Sequence, residues 1–435
     1  MLIKSIFTNS TGILTSRILG FIRDLLTASI LGANIYSDIF FVAFKLPNLF
    51  RRVFAEGAFT QAFIPAYAKT KHKIRFSSII FLQLFGFLII LSLLVTAFSH
   101  LVAKAIAIGF DDKTIDLAAP LFAINFYYLP MIFVVTFMAA LLQYKNHFAT
   151  TAYATALLNL GMIAALLISQ DMEKYDITFY LSYGVLVGGL LQIIVHLIAI
   201  KNLNLCKIFH FKKHKKKEEN KFYKNFFSAT LGSSTAHISA FLDTWLASFL
   251  VSGSISYLYY GNRVFQLPLA LFAIATSIAL FPMIARAIKN KDEDKALRLM
   301  KKSSIILFTL LSIATLIGIG FDEFIIWLLF ERGAFDAQDT ANTALILSMY
   351  LIGLIPYGIA KIFSLWLYAK EQQFLAAKIA MKSLGFNIVF SLLLIQPYGA
   401  AGLAFASTLS GFILFYLTLK EFGFKKFYIM FKKPI

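Results

Sequence analysis

The sequence predicts an all-α polytopic membrane protein with about twelve transmembrane helices, arranged as two six-helix lobes around a central cavity. Three observations predict this class: an apolar composition, apolar segments of bilayer-spanning length, and an alternation of charge between successive loops. The 435 residues are 59% hydrophobic, with a mean hydropathy of +0.76, whereas soluble domains are roughly 45–50% apolar. The excess falls in stretches of about 20 residues, the length that crosses a ~30 Å hydrocarbon core.

Helices are the expected spanning elements, because lipid offers no hydrogen-bond partner to a backbone group left unpaired. The twelve predicted spans cover residues 5–31, 36–66, 76–103, 117–142, 148–168, 178–200, 224–251, 255–286, 303–329, 341–368, 373–395 and 399–419. Pro47, followed by the pair Arg51 and Arg52, predicts that the second span is broken within the membrane. The first span is interrupted by charges and no small-residue cleavage site follows it, so a permanent helix is expected rather than a signal peptide.

The connecting loops divide into two sets by charge. One set, which includes the loop around 201–224 and the tail from Lys420, carries 27 Lys and Arg residues, and the other carries four. Positive loops remain cytoplasmic, so both termini are predicted to be cytoplasmic. This topology accounts for most of the net charge of +19, and nucleic acid is therefore not an expected partner. The single cysteine, Cys206, excludes an internal disulfide framework.

An internal repeat predicts how the spans are grouped. Asp24 and the segment 28–31 correspond to Asp243 and 247–250 at a constant offset of 219 residues, and the Phe-Ile-Pro of 63–65 corresponds to the Leu-Phe-Pro of 280–282 at 217. Six spans per half make the repeat parallel, and the substrate site of such transporters lies near the midplane between the halves. We therefore predict an N-terminal lobe at 1–200, a basic cytoplasmic linker at 201–223, a C-terminal lobe at 224–420 and a basic cytoplasmic tail at 421–435.

Ionisable side chains inside the spans are the strongest functional signal, because a central arginine costs at least about 2.5–3.5 kcal/mol on insertion. They are Arg17, Arg23, Asp24, Asp38, Lys45, Arg51, Arg52, Glu56 and Arg263. A polar stripe follows one face of the first span: Ser5, Asn9, Gly12, Ser16, Gly20, Arg23 and Thr27. We expect the arginines to line water and to bind phosphate oxygens bidentately. The alternative is that they form structural pairs with Asp24, Asp38 and Glu56.

The sequence contains no P-loop pattern and no paired metal-ligand cluster in the spans, so neither direct ATP use nor a metal or other cofactor is predicted. Four polar residues in the second half suggest a site for a coupling cation: Asp243 in the seventh span, Asn387 and Ser391 in the eleventh, and Ser407 in the twelfth. Their oxygens could hold Na⁺ or H⁺, or they could form isolated polar contacts between helices.

Three segments carry a resemblance to a known family. The stretch SRILGF at 16–21, followed by Arg23-Asp24, Asp38 and the segment FVAFKLPNLFRRVFAEGAFTQAF at 41–63, resembles the signature of the MurJ family, also called MviN. The segments YYGNRVFQLP at 259–268 and WLLFERGAF at 327–335 agree with it. The resemblance extends from about residue 5 to residue 420. Many family members carry acidic residues where this sequence has Asn262 and Gln266.

The resemblance implies a lipid II flippase of the bacterial inner membrane, with the fold of the multidrug/oligosaccharidyl-lipid/polysaccharide exporters. Such a protein would catalyse no reaction and would move this undecaprenyl-pyrophosphate-linked peptidoglycan precursor to the periplasmic leaflet by alternating access. The residues implied for pyrophosphate binding are Arg17, Arg23, Arg51, Arg52 and Arg263, and those for gating or charge pairing are Asp24, Asp38 and Glu56. Expected partners are lipid II, anionic membrane lipids and the cell-wall synthesis machinery. The alternatives are a drug or polysaccharide-lipid exporter of the same fold, and a membrane-embedded polyprenyl-phosphate transferase.

Overall fold

The protein is almost entirely helical in the computed structural model. The structure describes residues 2–50, 58–203, 205, 222–224, 226–227 and 241–432, with side chains from residue 11 onward. Within these ranges the only bridge between extended residues joins Arg332 to Phe335, and no strand is formed. The predicted all-α class is therefore confirmed.

Contacts within the chain group the residues into two units. The first contains Met1–Ser252 together with Arg332–Phe335, and the second contains Gly253–Glu331 and Asp336–Ile435. The lobe, linker and tail boundaries deduced from the repeat remain predictions.

The first unit contains ten labelled helices. They are α1 (Leu2–Leu31), α2 (Ile35–Phe50), α3 (Ala58–Lys69), α4 (Lys73–Ala97), α5 (Ser99–Ile106), α6 (Asp112–Phe126), α7 (Tyr128–Tyr144), α8 (Ala149–Ser169), α9 (Lys174–Asn202) and α10 (241–247). Helices α1, α8 and α9 pack together, with α2, α6 and α7 beside them. Phenylalanines fill the space between α3, α4 and α7, where the ring centroids of Phe59 and Phe63 are 5.1 Å apart and those of Phe81 and Phe137 are 4.9 Å apart.

The second unit contains eight α-helices and one π-helical segment. They are α11 (Ser254–Pro268), the π-helix (Leu269–Ile274), α12 (Ala275–Lys289), α13 (Glu293–Gly320), α14 (Asp322–Phe330), α15 (Ala337–Ile352), α16 (Leu354–Ala369), α17 (Gln373–Phe422) and α18 (Phe424–Lys432). Helix α16 contacts α12, α13 and α17 and is the centre of this unit. Asp336 starts α15 with a capping box, in which its side chain accepts from the amide of Asp339 at 2.9 Å.

Among the described residues, eight helical segments are long and apolar enough to cross a bilayer. They correspond to nine of the twelve predicted spans, because one 50-residue segment, Gln373–Phe422, includes the last two. The predicted spans at 76–103 and 303–329 extend beyond the helix ends at Ala97 and Gly320. The first predicted span corresponds to α1, a 30-residue helix that is not among these eight segments. The second corresponds to α2 and α3, and the residues between them lie outside the description, as does half of the seventh predicted span.

Helix α17 is a helical hairpin rather than one straight rod. Ser383 and Ser410 share a hydrogen bond of 2.9 Å between their hydroxyls, yet a straight helix would separate residues 27 positions apart by about 40 Å. Asn387 likewise reaches Ser407, so the two halves run antiparallel. The reversal follows Pro397 and is made at Gly399, whose φ of 53° and ψ of −131° interrupt the helix. The two separate spans predicted at 373–395 and 399–419 match these halves.

Candidate functional site

The predicted polar stripe of α1 packs against α8. Gly12, Gly20 and Thr27 are buried and Ser16 is half-buried. Thr11 shares a hydrogen bond of 2.8 Å with the Tyr153 hydroxyl on α8. The small residues of the stripe thus bring two helices close together, as is typical of contacts between membrane helices.

Arg23 and Asp24 form a buried ion pair inside this contact. The Arg23 Nη2 atom lies 2.5 Å from Asp24 Oδ1, and Nε of the same guanidinium donates to that oxygen at 3.1 Å. The side chains are 11% and 1% exposed. Arg23 therefore has its charge neutralised within its own helix, which corresponds to the structural-pairing alternative.

Asn159 on α8 completes the contact. Its amide oxygen accepts from Arg23 Nη1 at 3.1 Å, and its amide nitrogen donates to the Ser16 carbonyl at 3.1 Å. The sequence reasoning missed Asn159. The signal that could have found it is a single asparagine in the apolar run of α8, because a polar side chain at membrane depth needs a partner.

Arg17 has a different environment from Arg23. Its side chain is exposed, and it forms no hydrogen bond or ion pair with any residue that the structure describes. Six residues of α-helix correspond to a rise of about 9 Å and a rotation that leaves the two side chains about 120° apart. The structure thus does not place these two predicted arginines on one face of α1.

The other predicted charges of the first unit lie on α2 and beyond it. Asp38 is 1% exposed on the first turn of α2, and Lys45 donates to the Thr244 hydroxyl on α10, the residue after Asp243. Arg51, Arg52 and Glu56 lie outside the described residues.

A short segment following α14, Arg332–Phe335, docks on the end of α1. The Ala334 amide donates to the Ser29 carbonyl at 2.6 Å. Gly333 has a φ of +61°, and a side chain there would meet the Ser29 carbonyl oxygen. Phe335 is 1% exposed. This segment belongs to the WLLFERGAF sequence, for which the sequence reasoning assigned no structural role; its glycine between charged and apolar residues was the available signal.

Arg263 lies half-buried on α11 in the second unit. Two neutral residues stand where many family members have acids, and they bond to each other: the Gln266 side-chain nitrogen donates to the Asn262 side-chain oxygen. Another cation was missed by the sequence reasoning: Lys361, half-buried in the middle of α16, which forms no hydrogen bond or ion pair with the described residues. A single lysine in an apolar span is the signal that marks it.

Three of the four residues predicted to hold a coupling cation lie in the α17 hairpin. The Asn387 amide donates to the Ser407 hydroxyl at 3.2 Å, and Ser391 is fully buried one turn away, with no hydrogen bond to its hydroxyl among the described residues. Asp243 belongs to the first unit. Among the described residues no three His, Cys, Asp or Glu side chains are grouped to hold a metal ion.

Comparison with known proteins identifies the family. A family model described as "Lipid II flippase MurJ" matches residues 27–433. A probable lipid II flippase MurJ from Helicobacter pylori (strain J99) is 49% identical, covering 92% of this chain and 90% of that protein. Its counterpart from Haemophilus influenzae is 33% identical, with 93% and 83% covered.

Solved structures agree with this match. A lipid II flippase MurJ in an inward closed conformation superposes with a TM-score of 0.83 at 26% identity, covering 98% of this chain and 91% of the other. An inward-facing multidrug resistance MATE family transporter gives a TM-score of 0.74 at 11% identity over 99% and 100% of the chains, which shows a shared fold alone. The chain belongs to the MurJ family of lipid II flippases.

Proposed function

We propose that this protein moves lipid II from the cytoplasmic to the periplasmic leaflet of the bacterial inner membrane by alternating access, and that it makes or breaks no covalent bond. The support is its membership of the MurJ family over residues 27–433, together with helices long enough to span a bilayer. The excess of basic loop residues supports the orientation with both termini in the cytoplasm.

One observation carries the assignment to a pyrophosphate lipid: the exposed guanidinium of Arg17 on a membrane-length helix. An arginine at this position is stable only against water or an anion, since exposure to hydrocarbon costs several kcal/mol. Guanidinium groups remain charged and donate two parallel hydrogen bonds to phosphate oxygens. Arg17 is therefore proposed to bind the pyrophosphate.

The remaining charges receive roles that follow from their surroundings. Arg263, together with the missed Lys361, is proposed to supply cationic contacts from the second unit, and Arg51 and Arg52 from the first. The Arg23–Asp24 pair is already neutral, so we propose that it positions α1 against α8, and that Asp38 and Glu56 act in gating.

A coupling cation is proposed for the α17 hairpin. The oxygens of Asn387, Ser391 and Ser407 are of the kind that Na⁺ or H⁺ would use. A contribution from the Asp243 carboxylate remains a prediction from the sequence. Interaction with anionic lipids and with the cell-wall synthesis machinery belongs to the same proposal.

The test is transport in vesicles. Full-length protein is reconstituted with fluorescent lipid II on one leaflet, and its appearance on the other is measured with a membrane-impermeant quencher, with and without Na⁺ and proton gradients. Arg17→Ala is expected to slow transport roughly ten-fold or more, because hydrogen bonds to charged groups contribute about 1.5–3 kcal/mol. Arg17→Lys keeps the positive charge but cannot donate two parallel hydrogen bonds to phosphate, so its transport rate is expected to be intermediate.

Arg298→Ala is the matched control, because Arg298 is also exposed but lies near the basic end of α13. It is expected to transport at the wild-type rate. Equal rates for wild type and Arg17→Ala would refute the role of Arg17, and absence of lipid II movement in the wild type would refute the function itself.

A further inference from the structure

A cavity of about 360 Å³ lies within the second unit, bounded by α13, α16, α17 and α18. Its lining is hydrocarbon and aromatic apart from one serine, and the principal contributors are Ser304, Phe308, Ile359, Phe363, Phe412 and Phe431. The volume is within the range of ligand pockets, which are mostly apolar with a few polar groups.

The cavity lies toward the end of the unit where basic residues are concentrated. Ser304 is two residues beyond Lys302 on α13, and Phe363 is seven residues before Lys370 on α16, a rise of about 10 Å. Ile359 lies one turn deeper on α16, about 17 Å along the helix from Lys370. These depths match the half-thickness of a ~30 Å hydrocarbon core, so the cavity extends through one leaflet.

The cavity opens along the surface of the unit rather than being enclosed. Phe308 is 54% exposed and Phe431 is 39% exposed, although both contribute to its wall. Large apolar side chains at such an opening are stable against hydrocarbon and unfavourable against water.

Helix α18 covers the cavity at its basic end. Phe427 packs on Phe363 with ring centroids 5.6 Å apart, and Lys301 Nζ donates to the Phe431 carbonyl at 3.1 Å. Lys426 lies 3.7 Å from Glu293 and over the Trp366 ring. A short amphipathic helix fastened in this way is typical of elements that lie in the membrane interface.

Lysines lie close in sequence to the lining residues at the basic end of the cavity. Helix α18 carries three lysines and no acid, and while Lys426 is engaged with Glu293, Lys425 and Lys432 are exposed, as is Lys302 on α13. Basic residues near a membrane surface attract anionic lipid headgroups.

Ser304 supplies a second, independent sign of a ligand. Its side chain lines the cavity and is 3% exposed, and its hydroxyl has no hydrogen-bond partner among the described residues. A buried hydroxyl without a partner is unfavourable, and a carbonyl or phosphate oxygen of a bound molecule would accept its hydrogen bond.

We propose that this cavity binds an anionic glycerophospholipid of the leaflet at the basic end, with one acyl chain against Phe308, Phe363 and Phe412. The headgroup phosphate lies among Lys302, Lys425 and Lys432, and Ser304 donates to an ester oxygen. A phospholipid fits better than a protein segment, because the opening is an apolar groove along spanning helices with lysines toward one end. The site gives a location to the interaction with anionic lipids proposed above, and it does not depend on the transport of lipid II.

The test uses full-length protein in nanodiscs with a phospholipid that carries a photoactivatable group in its acyl chain. One arm contains the phosphatidylglycerol and a second the phosphatidylcholine with the same chain, and labelled residues are mapped by mass spectrometry. We expect labelling of Phe308, Phe412 and Phe431 to be at least several-fold stronger with phosphatidylglycerol. Ile305→Trp, which adds bulk to the wall, is expected to remove most of it.

Ile306→Trp is the matched control, because Ile306 is exposed on the same helix but is not part of the lining; it is expected to leave labelling unchanged. Labelling of Phe87, exposed on α4 of the first unit, verifies that each variant is folded in the bilayer. If Ile305→Trp loses the Phe87 signal too, the double variant Lys425→Gln, Lys432→Gln is used instead. It is expected to make labelling of the cavity by phosphatidylglycerol equal to that by phosphatidylcholine.

Three results would overturn the proposal: equal labelling of the cavity by both lipids in the wild type, a preference for phosphatidylglycerol that survives the double lysine substitution, or stronger labelling by a photoactivatable polyprenyl pyrophosphate in a third arm. The last result would make the cavity a site for polyprenyl chains.

Discussion

The two units bury polar groups in different ways. In the first, α1 and α8 enclose a full ion pair, Arg23–Asp24, with one neutral amide beside it. In the second, the α17 hairpin is joined by hydroxyls and an amide alone, through Ser383–Ser410 and the contact at Asn387. A buried ion pair contributes little net stability, but loss of one partner is costly. The first unit should therefore be sensitive to removal of one charge, and the second tolerant of removing one polar group.

The largest effect is expected for Asp24→Ala. It leaves the Arg23 guanidinium buried without its counter-charge, which costs about 3–5 kcal/mol. The measurement is thermal unfolding in detergent, alongside growth of a strain that depends on this protein. Arg23→Met combined with Asp24→Leu removes both charges and should recover most of the stability. If Asp24→Ala unfolds at the wild-type temperature, the first unit is not sensitive to the loss of one charge and the contrast between the units fails.

The next effect is expected for Gly333→Ala in the segment docked on α1. A β-carbon is strained at the φ of +61° and meets the Ser29 carbonyl oxygen, so a loss of about 1–3 kcal/mol follows. Gly86→Ala is the control in the same unit, because nothing lies near its added carbon in α4, and it should be neutral or slightly stabilising. Equal unfolding temperatures for the two variants would show that the docking contributes nothing.

A smaller effect is expected for Asn387→Ala, which removes one neutral hydrogen bond and costs about 1 kcal/mol. Ser383→Ala removes a similar contact from the same hairpin and is the matched control. If Asn387 also holds the coupling cation, its variant alone should lose any rise in unfolding temperature that NaCl gives over choline chloride. Loss of that rise in both variants, or in neither, would count against the cation site.

The smallest effect is expected at Asp111, whose side chain accepts from the Thr114 amide at 3.0 Å and caps α6. The hydrogen bonds from Thr114 hold the pKa of this fully exposed carboxyl below its ordinary value. Its contribution is therefore present above pH ~4 and is lost as the pH falls through the folded-state value. Asp111→Asn should retain the cap and flatten that part of the pH profile; an unchanged profile would show that other carboxylates account for it.

The membrane class and most spans were predictable from hydropathy and charge, because both depend on local composition. Even the last two spans were separated correctly, since Pro397 and Gly399 break the apolar run between them. Helix interruptions were less predictable. The break at Phe98 has no proline or glycine nearby, so tertiary packing decides that boundary. The break at Phe321 follows Gly320 and precedes Asp322 and Glu323, a local signal that the predicted span at 303–329 did not use.

The charged residues were found by sequence, but their surroundings were not. Arg17 and Arg23 look alike in a list of intramembrane arginines, and only helical geometry and the neighbouring Asn159 distinguish an exposed cation from a neutralised one. Asn159 lies 136 positions from Arg23, so no local pattern connects them. Lys361 is a single cation in an apolar span, and no neighbouring charge or motif marks it as part of a site.

The reversal at Gly399 has a practical consequence for mapping the topology of this protein. Helix resumes almost at once on either side of it, so there is hardly any loop for an epitope, a protease site or a labelled cysteine to occupy. A reporter inserted there would cut into a helix and perturb the fold that it is meant to survey. Accessibility experiments should use the ends of the hairpin, near Gln373 and Phe422. A lack of labelling or cleavage at its tip carries no information about topology.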